Sequence, residues 1–304
     1  MPVICSRNLY CLVIMAVLCT AAAPPVVCAS DATAAVVVSR KIRPYLLVTE
    51  GILAQVPEKI SDTDVFFLSP GDDLVTAQVT DRLITGSYDL VAAVGPEAAA
   101  LIWQAGIPGK KIYAALLDPD AVSRIPDDAC GISLRIPVAV QVETIASIFP
   151  SLQKIGLLFD PEHNQWFFDA ASAAAAASGL SISIVPLQVT ERNQIAQVLA
   201  TNLELVDAVW MIPDRTVISE KLIQYVIKQA LYKETGVIGY NAYFVRTGAF
   251  FSFEFDYRAL GRQAGTLITD SLTDRDCRSV PPVFESRSNP QIAEKLGLNM
   301  EASR

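Results

Sequence analysis

The chain has 304 residues, of which 52% are apolar and 18% are charged, and its formal net charge at pH 7 is −8. So much apolar content excludes a disordered chain, and the length is enough for two domains of ordinary size. The acidic balance provides no basic surface that could hold a phosphate backbone, so we expect no nucleic-acid partner.

The first 29 residues have the pattern of a signal peptide. Arg7 precedes an uncharged apolar stretch from Leu9 to Ala23, which is shorter than the roughly 20 residues that a membrane-spanning helix needs. Small residues at the end of this leader predict cleavage after Ala29. Lipid attachment is the alternative, although neither Cys19 nor Cys28 follows the small residue that a lipobox requires. The leader therefore predicts a periplasmic protein with no stable membrane span after signal removal.

The cysteines and the single histidine limit the chemistry that the chain can support. Four of the six cysteines lie in the leader, so the mature chain keeps Cys130 and Cys277 in an oxidising compartment. One disulfide and two unpaired thiols are both compatible with the sequence, which cannot place the two Cα atoms. No second His or Cys stands at metal-ligand spacing from His163, so we expect neither a metal site nor a cofactor.

Short apolar runs alternate with segments of helical period, which predicts βα units around a parallel sheet. In the first half the predicted strands are Pro44 to Thr49, Asp64 to Ser69, Leu90 to Val94 and Ile112 to Leu117. The predicted helices include Asp72 to Thr85 and Glu97 to Gln104, and an extended stretch follows from Cys130 to Pro137. These elements predict one α/β lobe.

A second series of the same kind follows. Its predicted strands are Ile155 to Phe159, Ile182 to Leu187, Ala208 to Ile212 and Gly236 to Tyr240. Its predicted helices are Val138 to Phe149, Gln165 to Ser178, Glu191 to Asn202 and Ile218 to Tyr232. After Gly248 we expect one more strand and then a helix in which Gly261 and Gly265, four residues apart, permit close helix packing. The repetition predicts two lobes with a ligand cleft between the carboxyl ends of their strands.

Four segments carry a resemblance to a known family: "FPSLQKIGLLFDPEHN", "DAVWMIPDRTVIS", "GVIGYNAYFVRTGAFFSFEFDYRALGRQAG" and "NPQIAEKLGLNM". They resemble the substrate-binding proteins of ABC importers with the type I periplasmic-binding-protein fold, in the branch that includes tryptophan- and phenylalanine-binding members. The resemblance implies an α/β fold of two Rossmann-like lobes with parallel sheets, joined by a three-strand hinge. It places 30–134 and 249–276 in the N-terminal lobe, and 135–248 and 277–304 in the C-terminal lobe.

The resemblance also bears on the cysteines and on two differences from the family. It places Cys130 and Cys277 close to the crossovers, where a disulfide would restrict hinge motion. Gly95-Pro96-Glu97 stands where the family commonly has a Gly-Thr pair. The first predicted strand leads into the short "TEGILAQVPEKI" instead of a long loop rich in Thr, Gln and His. Both differences indicate an altered ligand shell.

Residues at the turns after predicted strands are the candidate ligand contacts. The predicted ligand-binding residues are Asp214, Tyr240, Asn241, Asn164, Asp160, Asp118, Gly95 and Glu97. Asp118 and Asp160, each before a proline, have an alternative role in closing an Asx-turn, and Asp214 has one as a helix cap worth about 1 kcal/mol. Glu97 has an alternative role at the first turn of a helix, through the helix dipole.

Three further side chains are weaker candidates for ligand contact. His163 precedes Asn164 in a loop that approaches ligand in the family, and its alternative is a solvated loop residue. Trp166 and Trp210 could form an aromatic wall, and core packing is the alternative for both.

The expected function is binding rather than catalysis, because the sequence contains no G-x-S-x-G, P-loop or G-x-G-x-x-G motif. We expect an exported protein that closes two lobes around a small organic solute, an amino acid or a related molecule. The expected partner is an ABC permease, to which the solute is delivered. The alternatives are a periplasmic sensor for a membrane signalling protein, a family member that has lost its ligand, and a secreted hydrolase.

Overall fold

A computed structural model describes residues 32–56, 60, 63–177, 179, 182–273, 275 and 277–299. The predicted signal peptide, 1–29, lies outside the described residues. The described chain forms two mostly parallel sheets, each with helices on both faces. The predicted α/β fold of two lobes is therefore confirmed.

The first sheet has five parallel strands in the order β2-β1-β3-β4-β5. These strands are β1 (Ala34–Val38), β2 (Thr63–Phe67), β3 (Leu90–Val94), β4 (Lys110–Leu116) and β5 (Cys130–Ser133). The helices that alternate with them are α1 (Arg43–Gln55), α2 (Asp73–Thr85) and α3 (Pro96–Gln104). Both β1 and β3 are buried along their whole length, as expected for strands covered on both faces.

The second sheet has six strands in the order β11-β10-β9-β8-β6-β7. These are β6 (Lys154–Phe159), β7 (Ser183–Gln188), β8 (Ala208–Met211), β9 (Gly236–Gly239), β10 (Phe251–Glu254) and β11 (Glu285–Ser288), and β11 runs antiparallel to β10. The remaining helices are α4 (Val138–Ile148), α5 (Pro161–Ala177), α6 (Ile195–Asn202), α7 (Glu220–Tyr232), α8 (Ala242–Thr247), α9 (Tyr257–Leu272) and α10 (Pro290–Lys295). All but α9 accompany the second sheet, whereas α9 packs on the first.

The chain crosses between the two sheets three times. The first crossover joins β5 to α4, the second joins β10 to α9, and the third follows Val280, which pairs with Ile132 of the first sheet, and leads to β11. We expected 249–276 to belong wholly to the N-terminal lobe. Strand β10 lies in that range but pairs with β9 and β11, so the second crossover falls after Glu254. We expected 277–304 to belong to the C-terminal lobe, but Cys277 and Val280 both contact the first sheet, so that lobe resumes only after Val280.

The first predicted strand is wrong. The range Pro44 to Thr49 lies in α1, where Pro44 occupies the first helical turn, a position at which its missing N–H costs nothing. The true first strand is β1, ten residues earlier, which lies in the interior of the sheet between β2 and β3. The connection from β1 to α1 therefore spans only Ser39 to Ile42, and "TEGILAQVPEKI" begins within a helix rather than after a strand.

Helix α9 lies unusually close to α1, as its glycines predicted. A Cβ atom on Gly261 would stand 2.1 Å from the Val48 carbonyl oxygen, and one on Gly265 would stand 2.6 Å from Cβ of Gln55. On α1, a Cβ on Gly51 would lie 2.8 Å from Cα of Gly261. The two backbones therefore meet through glycines, and this contact holds α9 against the first lobe.

Cys130 and Cys277 form a disulfide, with their Cα atoms 5.3 Å apart. Of the two alternatives left open by the sequence, the structure has the bridge. Cys130 lies in β5, immediately before the first crossover, and Cys277 lies between α9 and the third crossover. The bridge thus joins two crossovers at their first-lobe ends, and a restriction of hinge motion by it remains a prediction.

Candidate functional site

A cleft of about 490 Å³ lies where the carboxyl ends of both sheets meet. This is the edge at which α/β sheets present their loops to ligands, and the volume is typical of small-molecule sites. Leu117 and Asp118 line it from the turn after β4, and Leu134, Arg135 and Ile136 line it from the first crossover. The turns after β6, β8 and β9 supply the opposite side, so both lobes contribute.

Aromatic rings form much of the cleft surface. They belong to Trp166, Phe167, Trp210, Tyr240, Phe253, Phe255 and Tyr257. Trp210 is only 1% exposed and meets the Phe167 ring edge-on at 5.2 Å between centroids, so it serves the core and the cleft wall together. Trp166 is 51% exposed and presents its indole to the cleft. Such a surface suits a flat apolar group.

Asp214 lies beneath the cleft, where its carboxylate joins two turns. Its Oδ2 accepts hydrogen bonds from the Asp160 backbone N–H at 2.8 Å and from Nδ2 of Asn164 at 2.7 Å. Its Oδ1 accepts from the backbone N–H groups of Thr216 at 2.8 Å and Val217 at 3.2 Å. The side chain is 1% exposed and does not line the cleft.

The Asp160 carboxylate also accepts hydrogen bonds from groups within the protein. Its Oδ1 accepts from the Glu162 backbone N–H at 3.0 Å, which closes the predicted Asx-turn, and its Oδ2 accepts from Oγ1 of Thr216 at 2.6 Å. The residue is 3% exposed and lies outside the cleft lining. A carboxylate has about four acceptor positions. Protein donors fill the acceptor positions of Asp214, and Asp160 is buried, so the structure places neither predicted carboxylate in the cleft lining.

Two of the predicted amide side chains line the cleft. The hydrogen bond that each makes within the protein determines whether its oxygen or its nitrogen remains available to a ligand. Asn164 donates its Nδ2 to Asp214, so its Oδ1 remains as an acceptor. Its backbone, at φ −130° and ψ 19°, is not helical and interrupts the first turn of α5. Asn241 caps α8 by accepting the Tyr243 N–H on Oδ1 at 2.9 Å, so its Nδ2 remains as a donor.

Arg135, which the sequence reasoning missed, connects three parts of the cleft. Its Nη2 donates to Asp118 and its Nη1 donates to Asp120 at 2.7 Å, so it neutralises the one predicted carboxylate that does line the cleft. Its guanidinium carbon lies 5.6 Å from the centre of the Trp166 ring, in a cation–π contact. The available signal was a charged residue in the otherwise uncharged stretch "CGISLRIP".

Arg215 is the second missed cation. It follows Asp214 in the turn after β8, is exposed, and lines the cleft. Within the part of the chain that the structure describes, its guanidinium has no ion-pair or hydrogen-bond partner, and only its backbone carbonyl is used, by Arg192. This leaves its five donors available to a ligand.

Tyr240, as predicted, and Tyr257, which was missed, bring phenol hydroxyls to the cleft. Burial raises the pKa of Tyr240 to about 12, and the Asp214 carboxylate acts in the same direction. Burial also raises the pKa of Tyr257. A phenol is protonated near neutral pH even at its ordinary pKa, and the burial of these two hydroxyls acts in the same direction. Neither has a hydrogen-bond partner among the described residues, so each can donate to a ligand.

Gly95 and Glu97 lie on the first lobe outside the cleft lining. Gly95 has φ 88°, and a Cβ there would meet Oγ of Ser39 at 2.7 Å and the Tyr45 ring at 2.8 Å, so the turn before α3 needs glycine. Glu97 accepts from Nε of Arg40 at 2.9 Å. Both residues organise the start of α3, and the structure does not bring them to the other candidates.

The described residues contain no group of three or more His, Cys, Asp or Glu side chains that could hold a metal ion. His163 lines the cleft and is exposed. None of the helices in the described ranges is both long enough and apolar enough to span a bilayer.

Two α/β lobes, three crossovers and a cleft lined from both lobes define a binding protein of the type I periplasmic class. The chain belongs to the ABC transporter substrate binding protein family, whose model matches residues 48–303. A solute-binding role follows from this membership. A search of curated protein sequences gives no significant match.

Solved structures of low sequence identity share the fold. A ligand-free, open substrate-binding protein with adhesive properties from Clostridium difficile aligns with a TM-score of 0.73 at 18% identity, over 88% of this chain and 95% of that one. An ABC domain in complex with L-Trp from Streptococcus pneumonia aligns with a TM-score of 0.58 at 22% identity, over 89% and 96%. A periplasmic ribose ABC transporter protein from Conexibacter woesei aligns at 0.55 and 12%, over 88% and 96%.

Proposed function

We propose that the protein binds a small organic solute, an amino acid or a related molecule, in this cleft and delivers it to an ABC importer. The observation that carries the proposal is that both lobes line one aromatic cleft whose polar groups retain unused hydrogen-bonding capacity. The L-Trp complex of a structural neighbour supports an aromatic solute of this kind.

We also propose that the protein works in the periplasm, with an ABC permease as its partner. The family membership supports the partner, and the leader pattern of residues 1–29 supports export. Contacts with a permease require the solute-bound form to be recognisable, which two lobes closing on a ligand would provide.

A solute screen tests the binding role. Purified protein is heated with amino acids, aromatic acids, purines and small peptides, and each shift in melting temperature is followed by calorimetric titration. A true ligand at 100 times its Kd should stabilise the protein by about 2.7 kcal/mol. If no compound of any class shifts the melting temperature, the proposal is wrong.

A matched pair of variants locates the binding in the cleft. Trp166→Ala removes an exposed ring from the cleft and should weaken binding of the screened ligand at least tenfold, with little change in unliganded stability, because the ring is half exposed. Tyr232→Ala removes an aromatic side chain that is 81% exposed on α7, outside the cleft lining, and should bind normally. Equal affinities of the two variants would place the ligand elsewhere.

A further inference from the structure

We infer that the solute is an aromatic carboxylate without an ammonium group, rather than an α-amino acid. This inference rests on the proposed function and names the class of solute for the same cleft. It follows from which polar groups of the cleft are already used and which remain.

An α-amino acid needs an acceptor for its ammonium group, preferably a carboxylate, because a buried cation without one is costly. The acceptors of Asp214 are filled by four protein hydrogen bonds, and Asp160 is buried outside the lining. Asp118 reaches the cleft but is paired with Arg135. Among the residues that line the cleft, no carboxylate is left over for an ammonium.

The unused groups are mostly donors, which suit a carboxylate. They are the guanidinium of Arg215, the Nδ2 of Asn241 and the hydroxyls of Tyr240 and Tyr257. A guanidinium can bind both oxygens of a carboxylate in a bidentate pair. The two phenols are protonated donors across the neutral range, as ordinary phenols are, and burial raises the pKa of each further.

The charged residues of the cleft also favour a carboxylate ligand. The lining residues include two arginines and one aspartate, whereas the whole chain carries a net charge of −8. Arg135 is paired with Asp118 and Asp120, and the Asp214 carboxylate lies beneath the cleft, so the cation of the lining without a carboxylate partner among the described residues is Arg215. This single unpaired cation favours an anionic group next to it.

Three compounds that share one phenyl body separate the possibilities: 3-phenylpropanoate, L-phenylalanine and 2-phenylethylamine. Each is titrated calorimetrically into the full chain at pH 7.5, and the corresponding indole compounds, 3-(indol-3-yl)propanoate, L-tryptophan and tryptamine, cover a larger body. We expect the propanoates to bind at least tenfold more tightly than the amino acids, and the amines to give no binding heat.

Variants of Arg215 test whether this residue causes the preference for a carboxylate. Arg215→Leu should weaken binding of the propanoate at least tenfold, and Arg215→Lys should recover part of that loss. Arg82→Leu, which removes an exposed arginine on α2 outside the cleft lining, should leave the affinity unchanged. Equal affinity in the Arg215→Leu variant would overturn the assignment of the carboxylate to this residue.

The outcomes distinguish this inference from the proposed function. Tighter binding of the amino acids than of the propanoates overturns the inference and leaves the solute-binding role in place. If all six compounds fail to bind while another class is found in the wider screen, the inference again falls alone. If no compound of any class binds, both fall.

Discussion

The acceptor positions of the Asp214 carboxylate, beside the cleft, are all occupied by hydrogen bonds from the protein itself. Position alone makes it a candidate ligand contact, since it follows β8 at the sheet edge where ligands bind. Its four hydrogen bonds instead fix the turn after β8 to the turn after β6, and one of them orients the Asn164 amide. We therefore expect its contribution to binding to be indirect, through the shape of the cleft.

Replacing Asp214 with Asn should lower the stability of the unliganded protein. One carboxylate oxygen becomes an NH₂ group that faces donors, so at least one buried hydrogen bond is lost at a cost of about 1–3 kcal/mol. Chemical denaturation measures the loss. Asp169→Asn is the control, because Asp169 is exposed on the same helix as Asn164 and, among the described residues, accepts a side-chain hydrogen bond only from Gln165. If the Asp214→Asn variant had normal unliganded stability but no longer bound the ligand, Asp214 would be a direct ligand contact.

The sequence indicates which residues lie at the cleft edge better than it indicates which of them are free to bind. Asp118, Asn164, Tyr240 and Asn241 line the cleft, because position after a strand determines the edge on which a residue lies. The saturation of Asp214 depends on a partner 54 residues away in the sequence, and no local pattern encodes such a pair. Arg135 was missed because it falls inside the extended stretch predicted from Cys130 to Pro137 rather than in a turn after a predicted strand.

At the scale of elements, the contact between α1 and α9 is made possible by glycines. Glycine in the middle of a helix normally costs about 1 kcal/mol relative to alanine. Here the lack of a Cβ lets two helix backbones approach until Gly51 and Gly261 meet. This packing outweighs the propensity, since it buries Leu260, Ala264 and Ile268 of α9 against the first lobe.

Gly261→Ala should therefore destabilise the protein, although the same change usually stabilises a helix. The new Cβ would stand 2.1 Å from a backbone oxygen that cannot rotate away, so the helices must separate, at a cost of about 1–3 kcal/mol. Thr266→Ala, on the exposed face of the same helix, is the control and should be neutral. Thermal unfolding compares the two, and a Gly261→Ala variant at least as stable as the wild type would contradict the packing argument.

Element prediction succeeded where periodicity and burial agree and failed where they conflict. The strand at Leu90–Val94 is a fully buried apolar run and was placed correctly. The segment "PYLLVT" is also an apolar, β-branched run, but it forms the first half of α1, because Pro44 and the buried face that continues to Ile52 favour a helix. The assignment of β10 to the second sheet depends on strand pairing, which a single strand's sequence does not determine.

At the scale of the whole molecule, the two lobes are joined by three crossovers, two of which are tied together by the disulfide. The cysteines are separated by 147 residues in the sequence. In the chain-entropy model, closing a loop of that size raises the free energy of the unfolded chain, and so stabilises the folded protein, by about 5 kcal/mol. The bridge lies entirely at the first-lobe side. It therefore holds the spacing of two crossover strands without joining the lobes directly, which leaves a rotation of one lobe against the other possible.

Binding should couple to lobe closure, because the polar groups of one lobe cannot surround a small solute. Arg135 and Asp118 lie on the side of the first lobe, whereas Arg215, Asn164 and Tyr240 lie on the second. Contacts made with both sets favour the closed form over the open form. We expect small-angle scattering to give a smaller radius of gyration with a ligand found in the screen, and an unchanged one with a compound that does not bind.

Tryptophan fluorescence provides a second measure of the same closure. Of the three tryptophans in the chain, Trp166 is half exposed in the cleft and Trp210 is already buried, so closure over a ligand should shift the emission of Trp166 to shorter wavelength. Trp166→Phe should abolish the shift, and Trp103→Phe, on α3, should retain it. Binding heat without a change in either radius or emission would mean that the solute enters a rigid cleft, and the coupling of binding to closure would then be wrong.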